Sequence, residues 1–217
     1  MGYKLTWVYI RPNGTEQKIR PTTRLPSEYQ EVEWIGSSWT QWIDTGMAFT
    51  NDTKVNIDLA FDSRDSWRWV IGCQYQNVNQ SWAIWIWTSA FTYQQSTLSK
   101  DITWQPTIDQ KYNFTTDGND IYRDGTLVGT ISGTISTFTT PANWTICKVN
   151  YTNSTWFSGN FPWKVYGCKI YEGATLERDF VPCYRKLDSV IGMYDLVNDT
   201  FYTNAGSWTF TKWLDVS

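Results

Sequence analysis

Tryptophan supplies the clearest chemical potential in this sequence. Of its 217 residues, 15 are Trp, 13 are Tyr and 10 are Phe, whereas His is absent. Sugars present apolar C–H faces that stack on indole rings, and neighbouring amides can hydrogen-bond their hydroxyl groups. Two neighbouring predicted strands carry such a set, with amides at their ends: Trp67, Trp69, Trp85, Trp87, Asn77 and Gln80. We predict that these residues bind a glycan or another surface ligand. The alternative is that the rings fill the space between two sheets, because Trp is highly buried on average.

Catalytic chemistry has few candidate residues. Without His, Ser-His-Asp triads and His-based acid–base schemes are excluded, and a Cys nucleophile lacks its usual base. Glycoside hydrolysis needs two carboxylates roughly 5–9 Å apart. The nearest pair is in Glu31-Val32-Glu33, which we interpret as solvated charges on an entering strand. We therefore expect a protein that is not an enzyme, with a glycoside hydrolase-like protein as an alternative.

Composition limits the partners. The chain has 18 basic and 21 acidic residues, so its net charge is −3, and no basic stripe is present to neutralise phosphates. We expect no nucleic-acid partner. No run approaches the length of a membrane span, and residues 1–18 lack the apolar segment of a signal peptide. We expect neither membrane insertion nor a signal peptide in this chain.

Four cysteines form no C-x-x-C pair and, without His, make a poor zinc set: Cys73, Cys147, Cys168 and Cys183. We expect free, mostly buried thiols. A disulfide between two of them is the alternative, because the sequence does not supply the Cα distances.

Alternation with a period of two predicts strands through most of the chain. In residues 55–62, Val55, Ile57 and Leu59 fall on one face, as in a half-buried antiparallel strand. Residues 81–91 are apolar on both faces, which indicates a central strand covered on both sides or a strand with one face in a groove. Asp124-Gly125 predicts a type I′ hairpin turn.

Helix signals are scarce. The pattern at residues 27–30 resembles a capping box and predicts one helical turn. Residues 1–24 contain prolines and charges and are predicted to be a lead-in strand or linker. We place one domain, all-β, at residues 25–217.

The two ends of this domain resemble a known family. Residues 25–46, LPSEYQEVEWIGSSWTQWIDTG, resemble the opening of concanavalin A-like, laminin-G-like jelly-roll modules of phage tail and bacterial surface proteins. Residues 169–206 are similar to the close of these modules. The strongest matches are Asp44-Thr45-Gly46, Arg178-Asp179-Phe180-Val181-Pro182 and Tyr194-Asp195-Leu196, and the hairpin at Asp124-Gly125 has a generic counterpart.

The resemblance implies a two-sheet antiparallel jelly-roll sandwich with one concave face, in which residues 42–44 pair close to residues 200–204. It also implies a lectin-like, non-enzymatic recognition module located outside the cell, on a bacterial surface or on a virion. A structural or assembly protein of a virion or surface layer, including a homo-oligomer, is the alternative, because fold does not determine function.

Laminin-G-like domains often hold one Ca²⁺ at a rim of oxygen ligands. Asp117, Asn119 and Asp120 offer such ligands near a turn, and Ca²⁺ is the one cofactor that the resemblance suggests. Ordinary turn chemistry explains the same residues without an ion.

Three tryptophans depart from the family pattern. At Trp39, Trp208 and Trp213 the resemblance predicts Gly. Gly and Trp codons differ by one nucleotide through GGA and UGA, and some organisms and phages read UGA as Gly. We hypothesise that these positions reflect a recoded UGA. Trp34 and Trp42 replace Tyr, so we interpret them as authentic strand aromatics that mostly pack.

Overall fold

The computed structural model describes residues 9–10, 17–18, 24–38, 40–62, 68–75, 80–86, 90–152 and 163–216. For a few of these strand residues, Trp69 among them, only the backbone is described. The described ranges form β-strands and contain no helix. The strands are β1 Tyr9–Ile10, β2 Gln17–Lys18, β3 Tyr29–Glu31, β4 Ile35–Ser37, β5 Ile43–Asp44, β6 Thr53–Phe61, β7 Arg68–Tyr75, β8 Trp82–Ile86, β9 Ala90–Gln95, β10 Leu98–Thr103, β11 Lys111–Asp117, β12 Asp120–Arg123, β13 Thr126–Thr130, β14 Thr145–Ile146, β15 Val149–Thr152, β16 Trp163–Glu172, β17 Thr175–Arg185, β18 Ile191–Asp195, β19 Thr200–Thr203 and β20 Thr211–Lys212.

Two large sheets make up the sandwich, and β1 pairs with β2 in a separate two-stranded sheet. The seven-stranded sheet has the order β10-β9-β8-β7-β14-β5, and β15 pairs with β7 in parallel. The eleven-stranded sheet has the order β13-β12-β11-β6-β16-β17-β18-β19, with β3, β4 and β20 filling the region beside β16 and β17. Apart from β15, the described pairings are antiparallel. The predicted all-β, two-sheet sandwich is confirmed.

The core lies between the sheets and is rich in aromatic rings. Along β6, Val55, Ile57 and Leu59 are buried while the residues between them are half-exposed, as the alternation predicts. At the centre, Phe49 stacks on Trp144 with ring centroids 4.2 Å apart, and Trp82 meets both rings edge-on. Burial of such large side chains dominates core stability.

The predicted hairpin is confirmed. Asp124 and Gly125 join β12 to β13 with φ angles of 51° and 77°, the two left-handed conformations of a type I′ turn. The four cysteines are buried and free, so the expectation of free thiols is also confirmed. No described segment is a helix long and apolar enough to cross a membrane.

The predicted helical turn at residues 27–30 is wrong. A turn places the Tyr29 N–H 3.0 Å from the Pro26 carbonyl, and Tyr29 and Gln30 then enter β3. Their backbone pairs with Arg185 and Tyr184 of β17. Because this ladder satisfies the backbone groups of the segment, the local capping pattern does not lead to a helix.

The expected partner of residues 42–44 is only partly correct. The ladder of β5 is with β14, where Ile43 faces Ile146. Trp42, just before β5, does reach the segment that follows β19: its N–H donates to Asn204 Oδ1 at 3.0 Å, and its carbonyl accepts from the Ala205 N–H at 2.9 Å. The division into residues 1–24 and 25–217 stays a prediction.

Candidate functional site

Strand β8 separates its side chains between two environments. Trp82, Ile84 and Ile86 belong to the core between the sheets. The alternate residues Ala83 and Trp85 form a separate cluster with Val149, and Trp85 is half-exposed. Trp85 therefore lies on the outer face of the seven-stranded sheet and does not fill the space between the sheets.

Cross-strand register aligns further residues with Trp85. Trp69 on β7 is its direct partner on one side, and Thr92 on β9 is its partner on the other. Asp101 on β10 in turn faces Thr92. Since directly paired residues share a face, these four positions form one row across the outer face, which we call the Trp85 row.

A second row runs beside the first and is made of smaller or more deeply buried residues. It consists of Val149, Gly72, Ala83, Gln94 and Ser99, joined by the registers of four strand pairs. Gly72 has φ +146°, and a Cβ there would overlap the Trp82 carbonyl and the Ala83 backbone. Gly72 and Ala83 are thus the smallest residues of the two rows, and they lie beside the aromatic end of the Trp85 row.

The polar groups of this face have defined partners. Thr92 Oγ1 donates to Asp101 Oδ1 at 2.6 Å, which orients the exposed carboxylate of Asp101. Gln94 Nε2 donates to the Ser96 carbonyl at 3.0 Å. The half-exposed indole of Trp85 and the oriented carboxylate of Asp101, two strands away in the same row, can together stack a sugar ring and accept hydrogen bonds from hydroxyl groups.

The predicted ligand-binding residues are thus partly brought together. Trp69 and Trp85 share the Trp85 row, although for Trp69 only the backbone position is described. Gln80 lies half-buried in the turn before β8. Trp67, Asn77 and Trp87 lie outside the described residues. The sequence analysis did not identify Thr92 or Asp101 as site residues. The polar alternation along β9 could have indicated Thr92, whereas no local pattern indicated Asp101.

The residues proposed for Ca²⁺ have other partners. Asp117 forms an ion pair with Lys54 at 2.6 Å, and Asp120 Oδ1 accepts from Thr130 Oγ1 at 2.6 Å. Asn119 Nδ2 donates to the carbonyls of Ile131 and Gly133, both at 2.9 Å. In the part of the chain that is described, no group of three or more acidic, Cys or His residues is placed to hold a metal ion. The arrangement gives no support to a calcium site.

Glu31 and Glu33, the nearest candidate pair of carboxylates in the sequence, lie at the end of β3 and just after it, as the interpretation of entering-strand charges predicts. Glu31 forms an ion pair with Arg24 at 2.6 Å, Val32 is buried in the core, and Glu33 is exposed. On the candidate face, Asp101 is the one carboxylate within the two rows described above. Glycoside hydrolysis requires a second carboxylate facing the first.

Comparison with known proteins adds fold-level information. No family model matches the chain, and no curated protein matches it. Among solved structures, the fold is similar to a protein from Bacteroides ovatus ATCC 8483 described as a "putative carbohydrate binding protein", with a TM-score of 0.56 and 10% sequence identity. The match covers 86% of this chain and 62% of that one, so this chain spans less than two thirds of that protein.

A second solved structure, described as HCR/D-Sa-GBL1/C, has a TM-score of 0.40 and 15% identity, covering 74% of this chain and 46% of that one. That likeness is too distant to support an argument. The first comparison agrees with the β-sandwich described above.

Proposed function

We propose that the protein is a non-catalytic carbohydrate-recognition module whose binding surface is the Trp85 row. The observation that carries the proposal is the position of Trp85, which lies half-exposed on the outer face, in register with Trp69, Thr92 and Asp101. The solved protein of similar fold from Bacteroides ovatus, described as a "putative carbohydrate binding protein", supports the same class of ligand. The indole would stack on a sugar ring, and the Asp101 carboxylate would accept hydrogen bonds from hydroxyl groups.

A glycan array probed with the wild-type chain and with Trp85→Ala tests the proposal. We expect Trp85→Ala to lose roughly tenfold or more in affinity, a change of about 1.4 kcal/mol. Asp101→Asn should lower the affinity for the same glycans by less than Trp85→Ala does, because the amide oxygen of Asn can still accept a hydrogen bond from Thr92. Trp208→Ala removes an equally large exposed ring far along the chain and is the matched control.

The outcome is decisive even if one variant does not fold. If Trp85→Ala melts cooperatively and binds glycans as the wild type does, the proposal is wrong. If Trp85→Ala does not melt cooperatively, Asp101→Asn decides, and unchanged binding by that variant contradicts the proposal.

We also propose that the module is of the concanavalin A-like, laminin-G-like jelly-roll type and serves a phage tail or bacterial surface protein. The support is the resemblance of residues 25–46 and 169–206 to the two ends of such modules. A fluorescently labelled chain should stain intact bacterial cells of some strains, and Trp85→Ala should abolish the staining. Size-exclusion chromatography showing a stable oligomer that does not stain any strain would instead favour an assembly role.

A further inference from the structure

Exposed apolar side chains concentrate at the C-terminal end of the described chain. The exposed large hydrophobic residues in the described ranges are Leu127, Leu187, Val197, Trp208, Trp213, Leu214 and Val216. Four of these seven lie within residues 208–216. Scattered exposed hydrophobic residues are normal, whereas a cluster marks an interaction site.

Two tryptophans in this region form an offset stack. The planes of Trp34 and Trp213 are 10° apart, with ring centroids separated by 5.8 Å. The Trp213 N–H donates to the Trp34 carbonyl at 3.3 Å, which holds the two segments side by side. Trp213 is 52% exposed, so this residue of the stacked pair is open to solvent. We call this pair the Trp34–Trp213 platform.

The platform lies on the outer face of the eleven-stranded sheet. Gly36 of β4 is next to the Trp34 ring, and a Cβ there would lie 3.0 Å from the indole, so the glycine lets the ring approach the strand. Lys164 pairs with Gly36 in register and is flanked by the buried core residues Trp163 and Val165. The platform and the Trp85 row are therefore on opposite outer faces of the sandwich.

Charged groups flank the platform on both sides. Lys164 Nζ lies 5.2 Å from the Trp34 ring centroid, is 3.3 Å from Asp62 Oδ1 and hydrogen-bonds Asp109. Burial alone would lower the pKa of Lys164, but the hydrogen bonds and charges of Asp109 and Asp62 raise it overall. The ammonium group therefore stays charged and holds the carboxylates beside the ring.

On the other side, Lys212 and Asp215 form an ion pair at 3.1 Å, and both contact Tyr184. Together with Trp213 and Leu214, they line a shallow, open depression of about 580 Å³. The core of a protein–protein interface is depleted in charged residues, so this mixture of ion-paired side chains and an exposed indole suits a hydroxylated ring better than a protein.

We propose that the Trp34–Trp213 platform is a second carbohydrate contact that takes one neutral pyranose ring, independently of the Trp85 row. Trp213 would stack on the apolar face of the sugar, and the carboxylates of Asp62, Asp109 and Asp215 would accept hydrogen bonds from its hydroxyl groups. With contacts on two opposite faces, one chain can bridge two glycan chains, which raises avidity on a glycan-covered surface.

The test follows indole N–H signals by NMR while methyl pyranosides and short neutral oligosaccharides are added to the full chain. We expect at least one saccharide to shift the Trp34 and Trp213 signals. Trp213→Ala should lower the affinity for that saccharide roughly tenfold, about 1.4 kcal/mol. The affinity for glycans that bind through Trp85 should not change. Trp213→Phe, which keeps an aromatic face, should retain part of the affinity. Trp208→Ala should have no effect, since Trp208 belongs neither to the stacked pair nor to the depression.

Three results would overturn the inference. The first is that no saccharide of the panel shifts the two signals. The second is that Trp85→Ala abolishes the same shifts, which would leave a single site. The third is that Trp213→Ala changes the oligomeric state and no saccharide affinity, which would make the platform a contact between copies of the chain. Unchanged glycan-array binding by Trp85→Ala would contradict only the proposal for the Trp85 row, so the two proposals fail separately.

Discussion

Asp195 is a buried carboxylate at which the three strongest sequence motifs meet. It is fully buried and accepts hydrogen bonds from the backbone N–H groups of Asp179 and Val197 and from Asn198 Nδ2, at 2.8–3.1 Å. The Arg178 guanidinium approaches the carboxylate to 3.5 Å. A buried charge must be paired and hydrogen-bonded in this way to be tolerated.

Arg178 extends this network to the first motif. Its Nε donates to the Thr45 carbonyl at 3.2 Å, so Asp44-Thr45-Gly46 is held against β17. Segments more than 130 positions apart in sequence are thus joined through the Arg178 side chain, which hydrogen-bonds one segment and forms an ion pair with the other. These motif residues therefore have an architectural role and do not point to a ligand.

Removing the carboxylate should be costly. We expect Asp195→Ala to lower the free energy of unfolding by about 3–5 kcal/mol. The largely buried Arg178 loses its ion-pair partner, and the backbone N–H groups of Asp179 and Val197 lose their acceptor. Asp195→Asn keeps one acceptor and should cost less. Urea denaturation measures both, with Asp188→Asn, whose carboxylate forms an exposed pair with Arg185, as the control. Equal, small effects of all three variants would contradict this account.

The structure separates two of the tryptophans that stand where the resemblance predicts Gly. Trp208 has φ +67°, in the left-handed region that favours Gly, and its side chain is 83% exposed. Trp213 is not among the described residues with positive φ, and its ring stacks on Trp34. Trp39 lies outside the described residues. The backbone therefore favours Gly at 208 and accommodates an aromatic residue at 213.

Trp208→Gly should stabilise the protein. The left-handed conformation costs a non-Gly residue roughly 1–2 kcal/mol, and the greater flexibility of Gly in the unfolded chain offsets part of this gain. We expect the free energy of unfolding, measured by thermal or urea denaturation, to increase by about 1 kcal/mol. Trp213→Gly, the paired control, should give no increase, since it removes the stack on Trp34. A loss of stability in Trp208→Gly would show that the exposed ring makes contacts that matter.

Intact mass of the natively expressed protein tests the recoding hypothesis directly. If UGA is read as Gly, the mass and the peptides that contain positions 39, 208 and 213 will report Gly there. A mass that matches Trp at all 15 positions excludes recoding.

At the scale of elements, strand register decides which tryptophans reach a ligand. In β8 the side-chain period of two places Trp82 inside and Trp85 outside. A slip of one residue against β7 or β9 would exchange the two faces. The hairpin turns that set register are therefore as important for the binding face as its own residues.

The turn between β12 and β13 offers a test of this principle. Gly125→Val should lower the free energy of unfolding, measured by urea denaturation, by about 1–2 kcal/mol. A β-branched residue is strained at φ +77°, even though the space around Gly125 is open. Asp124→Asn should be close to neutral, since Asn tolerates the left-handed conformation and its amide oxygen can still accept from the Asn113 N–H. Similar costs for the two variants would mean that turn conformation does not limit stability here.

At the scale of the whole molecule, the core keeps all four thiols out of solvent. Burial raises the pKa of Cys147 to about 12, and mainly through burial the pKa of Cys183 rises to about 12 and that of Cys73 to about 11. Cys168 is also buried, and its pKa is raised well above the ordinary value. Thiolates, the reactive form, are therefore scarce in the folded protein.

Thiol labelling should follow unfolding. At pH 8 we expect an aromatic disulfide reagent to label the native protein slowly and to label four thiols at once in denaturant. Above about pH 9, where unfolded thiols ionise and folded ones stay protonated, stability should fall as pH rises. Rapid labelling of one equivalent in the native state would show that one cysteine is accessible.

Local patterns were enough to predict the strands and the hairpin. The alternation in β6, the apolar run of β8 and the turn at Asp124-Gly125 each involve neighbours in sequence, whose steric preferences act before any tertiary contact forms. The composition likewise determined that the chain is rich in aromatic residues and has no His chemistry.

Tertiary structure alone decided where the candidate sites are. The helical turn expected at residues 27–30 gave way to pairing with β17, which is distant in sequence. Trp34 and Trp213 meet because two segments near opposite ends of the chain pair through backbone hydrogen bonds. Asp101 joins Trp85 only through the registers of two successive strand pairs. Such long-range contacts depend on the packing of the whole sandwich, and a pattern that spans a few neighbouring residues does not contain them.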